Sequence, residues 1–354
     1  MPSEAIFFSV FLGIVVVILI FDLGLFNKRD HIISYREALA WTVLWITLAL
    51  GWYGYLSIAG EKLHNINTMA SLQEIVTKHH HAVIIDPDNF DISIAAYRKA
   101  ISLEFITGYL IEYSLSVDNI FVIIVIFSAF SVEKRLFHKV LFWGILGAVL
   151  FRFIFIFAGG FLIDKYGWIL YVFAVFLIYT GVKMFLTRNE TEVIDVEHHP
   201  VVKYASRIFR VHKKFEGNKF FFLKDAKKYI TPLFLVLLVI EFTDIIFAVD
   251  SIPAIFAVTR DTYIVFFSNI FAILGLRTMF FLLINIVDKL RYFKHGLSAL
   301  LVFIGIKMLF EEHLKEFGFT SIHSLMVILS ILGLSILFSF LFPAAPLEHD
   351  GKKN

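Results

Sequence analysis

Six carboxylates stand in stretches of sequence otherwise fit for a lipid bilayer. Glu104, Glu112 and Asp118 fall in the segment around "IEYSLSVDNIFVI" (111–123), with Ser116 and Asn119 beside them. Glu241, Asp244 and Asp250 fall in "IEFTDIIFAVDSIPAIF" (240–256), with Ser251 alongside. A charge at the centre of a lone membrane helix costs about 3 kcal/mol on insertion scales, so such groups persist where they face a partner or a wet cavity. Two arginines, Arg152 and Arg277, lie deep in apolar segments, while Lys183 and Lys307 sit nearer helix ends, where they can snorkel. Arginines can neutralise some of the acids as packing ion pairs, but two cannot neutralise six. The remainder must be protonated or meet a cation. Carboxylate, amide and carbonyl oxygens suit hard or borderline divalent ions, Mn²⁺, Mg²⁺ or Ca²⁺. Pro253 adds a candidate ligand, since a proline inside a helix leaves the carbonyl four residues earlier, that of Val249, without its usual donor.

The spacing of the acids poses a problem of its own. Glu112 and Asp118 are six residues apart, as are Asp244 and Asp250, which separates each pair by about 120° around an ideal helix. Either the helices unwind, at "SLS" (114–116) and at Pro253, or each acid addresses a different neighbour. Asn269 could donate to the same locus or bond between helices.

The elements that must position these groups are membrane spans. Hydrophobic residues make up 59% of the 354, phenylalanine alone numbers 42, and the mean hydropathy is +0.80. That is more apolar surface than a soluble core can bury. Nine apolar runs of spanning length are expected, at about 4–26, 37–58, 103–130, 139–163, 167–186, 231–258, 262–286, 296–311 and 322–342. The first has no basic flank or small-residue cleavage site and reads as a retained helix. With no cysteine, disulfides, catalytic thiols and thiolate metal sites are excluded. No phosphate loop, nucleophile elbow, HExxH zinc motif or nucleic-acid signature is present, so the expectation is not an enzyme, with no permanently bound cofactor.

Orientation follows from the basic residues. They concentrate in alternate connections: Lys28, Arg29 and Arg36; Lys134, Arg135 and Lys139; ten lysines and arginines in 188–230; Lys289, Arg291 and Lys294; and Lys352 and Lys353 in the tail. Such residues are retained in the cytoplasm, which places the N-terminus outside and the C-terminus inside. The outer segment 59–99 contains "KHHHAVIIDPDNFD", a solvated loop or a gathering point for metal. In the inner segment 188–230, Val201, Tyr204, Ile208, Val211 and Phe215 recur at helical spacing among Lys203, Arg207, Arg210, Lys213 and Lys214. That pattern predicts a basic amphipathic helix lying on the anionic leaflet.

The chain also repeats itself. "VDNIFVI" (117–123) matches "VDSIPAI" (249–255), each aspartate preceded by an acid six residues upstream, Glu112 or Asp244. Downstream, Arg152 in "GAVLFRFIFIF" corresponds to Arg277 in "AILGLRTMFFLL", and "YTGVKMF" with Gly181 to "FIGIKMLF" with Gly305. Three helices per copy is an odd number, so the second copy enters the membrane from the opposite face. Such inverted repeats meet about an in-plane axis, where transporters commonly place the substrate. The predicted fold is therefore an all-α polytopic membrane protein of about nine spans, helices 3–5 and 6–8 forming the repeats. Its parts are two peripheral spans (1–58), the outer loop (59–99), the first repeat (100–187), the basic loop (188–230), the second repeat (231–311) and a final span with tail (312–354).

At these residues the chain resembles the TerC/Alx family of bacterial membrane proteins, through "LEFITGYLIEYSLSVDNIFV", "LVIEFTDIIFAVDSIPAIFAVTRD" and "SNIFAILGLR". The resemblance implies a fold related to LysE-type transporters, a bacterial inner-membrane location, and manganese export or tellurium resistance. It places the ion on Glu112, Asp118, Glu241, Asp244 and Asp250, with Asn119 and Ser251 accompanying them. Tyr113 stands where many relatives carry a lysine, which removes a counter-charge, and the 59–99 segment is long for the family. The expectation is a divalent-cation exporter, most simply for Mn²⁺, with Glu112, Asp118, Asn119, Glu241, Asp244 and Asp250 holding the ion and Glu104, Ser116, Arg152, Ser251, Asn269 and Arg277 supporting. Its partners are then the ion, the bilayer and protons, with no nucleic acid. The competing reading is a membrane scaffold whose buried charges are structural.

Overall fold

Residues whose backbone polar groups must be satisfied without water fold as helices, and this chain is helical almost throughout. The computed structural model describes residues 8–18, 34–79, 83–187, 199–212, 214–224, 227–284 and 292–342. His80, His81, Lys213 and the basic residues of 27–33, 287–291 and the tail lie outside the described residues. The helices are α1 (Phe8–Ile18), α2 (Tyr35–Ala59), α3 (Met69–His79), α4 (Phe90–Ala129), α5 (Lys134–Lys165), α6 (Ile169–Leu186), α7 (Pro200–Ile208), α8 (Pro232–Phe256), α9 (Thr262–Leu274), α10 (Leu276–Leu283), α11 (Phe293–Leu309), α12 (Glu311–Glu316) and α13 (Ser321–Leu341). Two short strands, β1 (Phe221–Lys224) and β2 (Lys227–Ile230), form a hairpin before α8.

Six helices, α2, α4, α5, α6, α8 and α13, are long and apolar enough to cross a membrane, and the pair α9–α10, bent by 42°, makes a seventh. The chain is thus a mostly helical membrane protein with six to seven candidate spans among the described residues. Of the other expected spans, α11 has 17 residues and α1 is short as described.

Three elements differ from the sequence expectation. Segment 59–99 is mostly helical: a 3₁₀ turn (Gly60–Lys62), α3, and the first turns of α4, which is 40 residues long. Asn89 starts α4 by accepting from Ile92 N at 3.1 Å, and Ile94, Tyr97 and Ile101 bury one face of its polar extension. The amphipathic helix ends at Ile208, so Val211 and Phe215 lie beyond it and pack against the bundle. Val201 and Val202 also face the bundle, while Tyr204 and Ile208 stay exposed beside Lys203 and Arg207. The 262–286 run is broken at Gly275, two residues before Arg277.

Helices α4, α5 and α6 pack against α8, α9 and α11, with the α6–α11 contact the most extensive. Close approach there depends on Gly181 and Gly305. A Cβ on Gly305 would stand 2.7 Å from the Ala174 carbonyl, and one on Gly181 would stand 2.9 Å from the Ser298 carbonyl. Ser298 Oγ donates to Gly181 O at 2.6 Å across the same seam.

At the end of the bundle bearing residues 60–79, Leu63, Ile66, Leu72 and Val76 are buried as a cap. The cap is tied to α9 through His64, whose Nε2 lies 2.8 Å from Asp261 Oδ2, both side chains nearly inaccessible. Asp261 Oδ1 also N-caps α9, accepting from Tyr263 N at 2.9 Å. Asp261→Ala removes the cap and strands the imidazole, and is expected to cost about 2 kcal/mol, read as a lower unfolding temperature in detergent.

Candidate functional site

The centre of the bundle is organised by Arg152 of α5, which is fully buried. Its Nη1 donates to Glu112 Oε1 of α4. Its Nη2 and Nε donate to Asp244 of α8, at 3.2 Å to Oδ1 and 3.4 Å to Oδ2. Nη1 also lies 3.5 Å from Ser251 Oγ. One guanidinium therefore holds one acid from each copy of the repeated sequence, and these are the two acids in equivalent positions. The planar fork of five donors makes this double engagement possible, and a lysine could not reproduce it. The sequence left open whether each arginine meets one carboxylate, and Arg152 meets two.

Both α4 and α8 run unbroken through the acids, so neither 114–116 nor Pro253 unwinds. The other alternative holds, with each acid of a six-residue pair facing a different neighbour. Asp118 lies 3.9 Å from Lys294 Nζ of α11. Asp250 Oδ1 accepts from Thr180 Oγ1 of α6 at 3.4 Å. Glu104 meets Thr259 while Glu112 and Asp244 meet on Arg152, so α4 and α8 run in opposite senses, and Asp118 and Asp250 are displaced by about 9 Å along their helices to opposite sides of the Glu112–Asp244 level. The result is a line of acids along the bundle: Asp118, then the Arg152-bound pair, then Asp250.

Glu241, one turn before Asp244, presses its carboxylate against Gly147 of α5, where any Cβ would collide with it. Its Oε2 is buried with no hydrogen-bond partner among the described residues. Other buried polar atoms near this level also lack one: Glu112 Oε2, Ser116 Oγ, and both amide atoms of Asn269. Unpaired polar atoms in an apolar core cost about 1–3 kcal/mol each, so several together call for an explanation. A cavity of about 30 Å³ opens beside Asp244. Asn119, Thr243 and Asp244 supply its polar lining, and Ala148, one turn from Arg152, part of its apolar lining. That volume admits a water-sized species.

Two expected members are elsewhere or differently engaged. Glu104 stands two turns before Glu112, at the cap end, and accepts from Thr259 Oγ1 at 2.6 Å. It belongs to the His64–Asp261 end and not to the centre. Arg277 is buried in α10, just past the Gly275 break. Among the described residues no group of three or more His, Asp or Glu side chains is gathered closely enough to hold a metal ion, so the six acids are not one cluster in this conformation. Residues the sequence did not mark are Thr243, Thr180, Lys294 and Gly147. Thr243 adjoins Asp244, but nothing local distinguishes Thr180 or Lys294, which come from other helices.

Residues 97–345 match the model of the integral membrane protein TerC family. An uncharacterized membrane protein of Myxococcus xanthus, STKORF319, is 42% identical over 336 residues, 94% of this chain and 91% of that protein. The Escherichia coli K12 protein named "Putative membrane-bound redox modulator Alx" is 41% identical over 303 residues, 85% of each chain. The Salmonella typhi protein of the same name is 43% identical over 303 residues, 85% of this chain and 84% of that one. No solved structure matches the chain.

Proposed function

The chain belongs to the TerC family of integral membrane proteins, and from that premise we propose that it exports a divalent cation, Mn²⁺ first among the candidates, across the bacterial inner membrane. In this reading the two three-helix units, α4–α6 and α8–α11, are inverted repeats related as in LysE-type transporters, the N-terminus is outside and the C-terminus cytoplasmic. They rock about the central acids to give alternating access. Counting α1 and α11 as spans gives nine. Glu112 and Asp244 form the central site, Asn119 and Glu241 flank it, and Asp118 and Asp250 receive the ion on either side. Protons exchange at one or more of these carboxylates. No group is permanently bound, the ion is the substrate, and no enzymatic step is involved.

The observation that carries the reading is the meeting of the two repeat-equivalent acids, Glu112 and Asp244, on one guanidinium beside buried oxygens that lack partners. Carboxylate, hydroxyl and amide oxygens are the donor types that hard and borderline divalent ions take. The relatives named redox modulators add a constraint. A chain with no cysteine has no thiol redox chemistry of its own. Moving a redox-active cation is one way such a protein could alter redox poise.

The test is Mn²⁺ efflux from proteoliposomes. Asp118→Asn and Asp250→Asn are each expected to reduce flux at least 10-fold while the protein remains folded in the membrane. Undiminished flux in both variants would sink the proposal. The second reading, a scaffold with structural ion pairs, draws on the engagement of Arg152 by two acids, and it requires that the purified wild-type protein bind no divalent ion.

A further inference from the structure

We propose that Arg152 is the exchangeable counter-ion of the central site: its guanidinium sits where a cation between Glu112 and Asp244 would sit, so the substrate must displace it. The inference rests on the transport reading above and adds a residue that sets selectivity for charge. A purely structural ion pair would match its donors and acceptors one to one. In this site the polar set is larger than the guanidinium needs. Glu112 Oε2 and Ser116 Oγ, one turn further along α4, have no hydrogen-bond partner among the described residues, although both residues are buried.

Charge arithmetic fixes what can displace it. Glu112, Asp244 and Arg152 together carry a net charge of about −1. A divalent ion added beside the guanidinium would bring the site to about +1, in a medium where uncompensated charge is costly. If the guanidinium withdraws as the ion enters, the ion and two carboxylates sum to zero. A place for it exists along α8: Ser251 Oγ is already 3.5 Å from Nη1, and Ser251 adjoins Asp250, a carboxylate able to receive the positive charge. A monovalent ion gains nothing by the exchange, because it replaces one positive charge with another and forfeits the guanidinium's three hydrogen bonds to the carboxylates. Displacement of the guanidinium is thereby reserved to divalent ions. Once the divalent ion has left, the returning guanidinium compensates the acids, so the unloaded carrier can reorient without carrying two bare charges through the core.

The experiment is Mn²⁺ binding to purified full-length protein in detergent, followed by electron paramagnetic resonance of free Mn²⁺, alongside efflux from proteoliposomes. Arg152→Gln removes the competitor. It is expected to tighten Mn²⁺ binding at least 10-fold, to admit Na⁺ as a competitor, and to lower efflux at least 10-fold because the ion no longer has a replacement. Arg152→Lys keeps the charge but offers three donors in place of five and no bidentate fork, and is expected to shift binding in the same direction by a smaller factor. If Arg152→Gln does not fold, Arg152→Lys decides. Unchanged or weaker Mn²⁺ binding in the folded variant overturns the counter-ion role while leaving the transport reading intact. Absence of Mn²⁺ binding in the wild type removes the transport reading itself.

Discussion

Glu112→Leu is expected to destabilise the protein by about 2–3 kcal/mol, because the buried Arg152 guanidinium keeps its pairing with Asp244 but loses the charged acceptor of Nη1. Both side chains of the Arg152–Glu112 pair are inaccessible, so no solvent can take the place of the lost carboxylate. The same reasoning predicts a rescue. Glu112→Leu combined with Arg152→Met and Asp244→Leu replaces the triad by apolar groups of similar bulk. Such exchanges are neutral or stabilising by about 1–4 kcal/mol in buried ion clusters. The triple variant should therefore regain a wild-type unfolding temperature in detergent, measured by tryptophan fluorescence or calorimetry.

What the rescued protein does next divides the two readings. A scaffold asks of the triad only that the bundle hold together, so the apolar triple variant would keep its cellular role. A cation carrier asks for charge at that point, so the triple variant would be stable and inert, with neither Mn²⁺ binding nor flux. A triple variant that still transports Mn²⁺ at the wild-type rate would place the ion path elsewhere.

The triad also marks how far sequence can be read. The acids, the arginines and their internal repetition are visible as text, because charge within an apolar run is rare enough to stand out. That Glu112 and Asp244 would meet on one side chain is not visible, since it depends on the depth and rotation of three helices. Depth also explains why Glu104 leaves the group: two turns toward the cap, its neighbour is Thr259, a residue with no distinguishing context. Six to seven of the nine expected spans were legible as uninterrupted apolar text, but their ends were not. Residues 90–99 read as loop because they include Asp91, Arg98 and Lys99, yet Arg98 is held by Glu61 at 2.6 Å and the opposite face is buried, so α4 continues. At 209–215 the error ran the other way. Apolar periodicity continued, while the backbone turned after Ile208 into the connection that leads to the β1–β2 hairpin.

Gly305→Leu is the second large effect, expected to cost about 3 kcal/mol through overpacking at the α6–α11 seam. Without a solvent-driven hydrophobic force between helices in lipid, their association rests on close packing and interhelical hydrogen bonds, and small residues permit the approach. At Gly305 the first obstacle to a side chain is the Ala174 carbonyl, 2.7 Å from the Cβ position, and backbone cannot rotate aside as a side chain does. Gly181, across the same seam, meets the Ser298 carbonyl in the same way, and its own carbonyl accepts from Ser298 Oγ. A wedge at either glycine would push α11 from α6. It would thus disturb Lys294 and Thr180, the neighbours of Asp118 and Asp250. Gly54→Leu in α2 is the control, since a Cβ there meets nothing within 4 Å, and it should leave the unfolding temperature unchanged or slightly raised. If Gly305→Leu and Gly54→Leu unfold at the same temperature, the seam is looser than its geometry implies. The two halves would then have to be held together chiefly by the buried Arg152 triad, which would make its exchange for apolar residues far more disruptive than argued above.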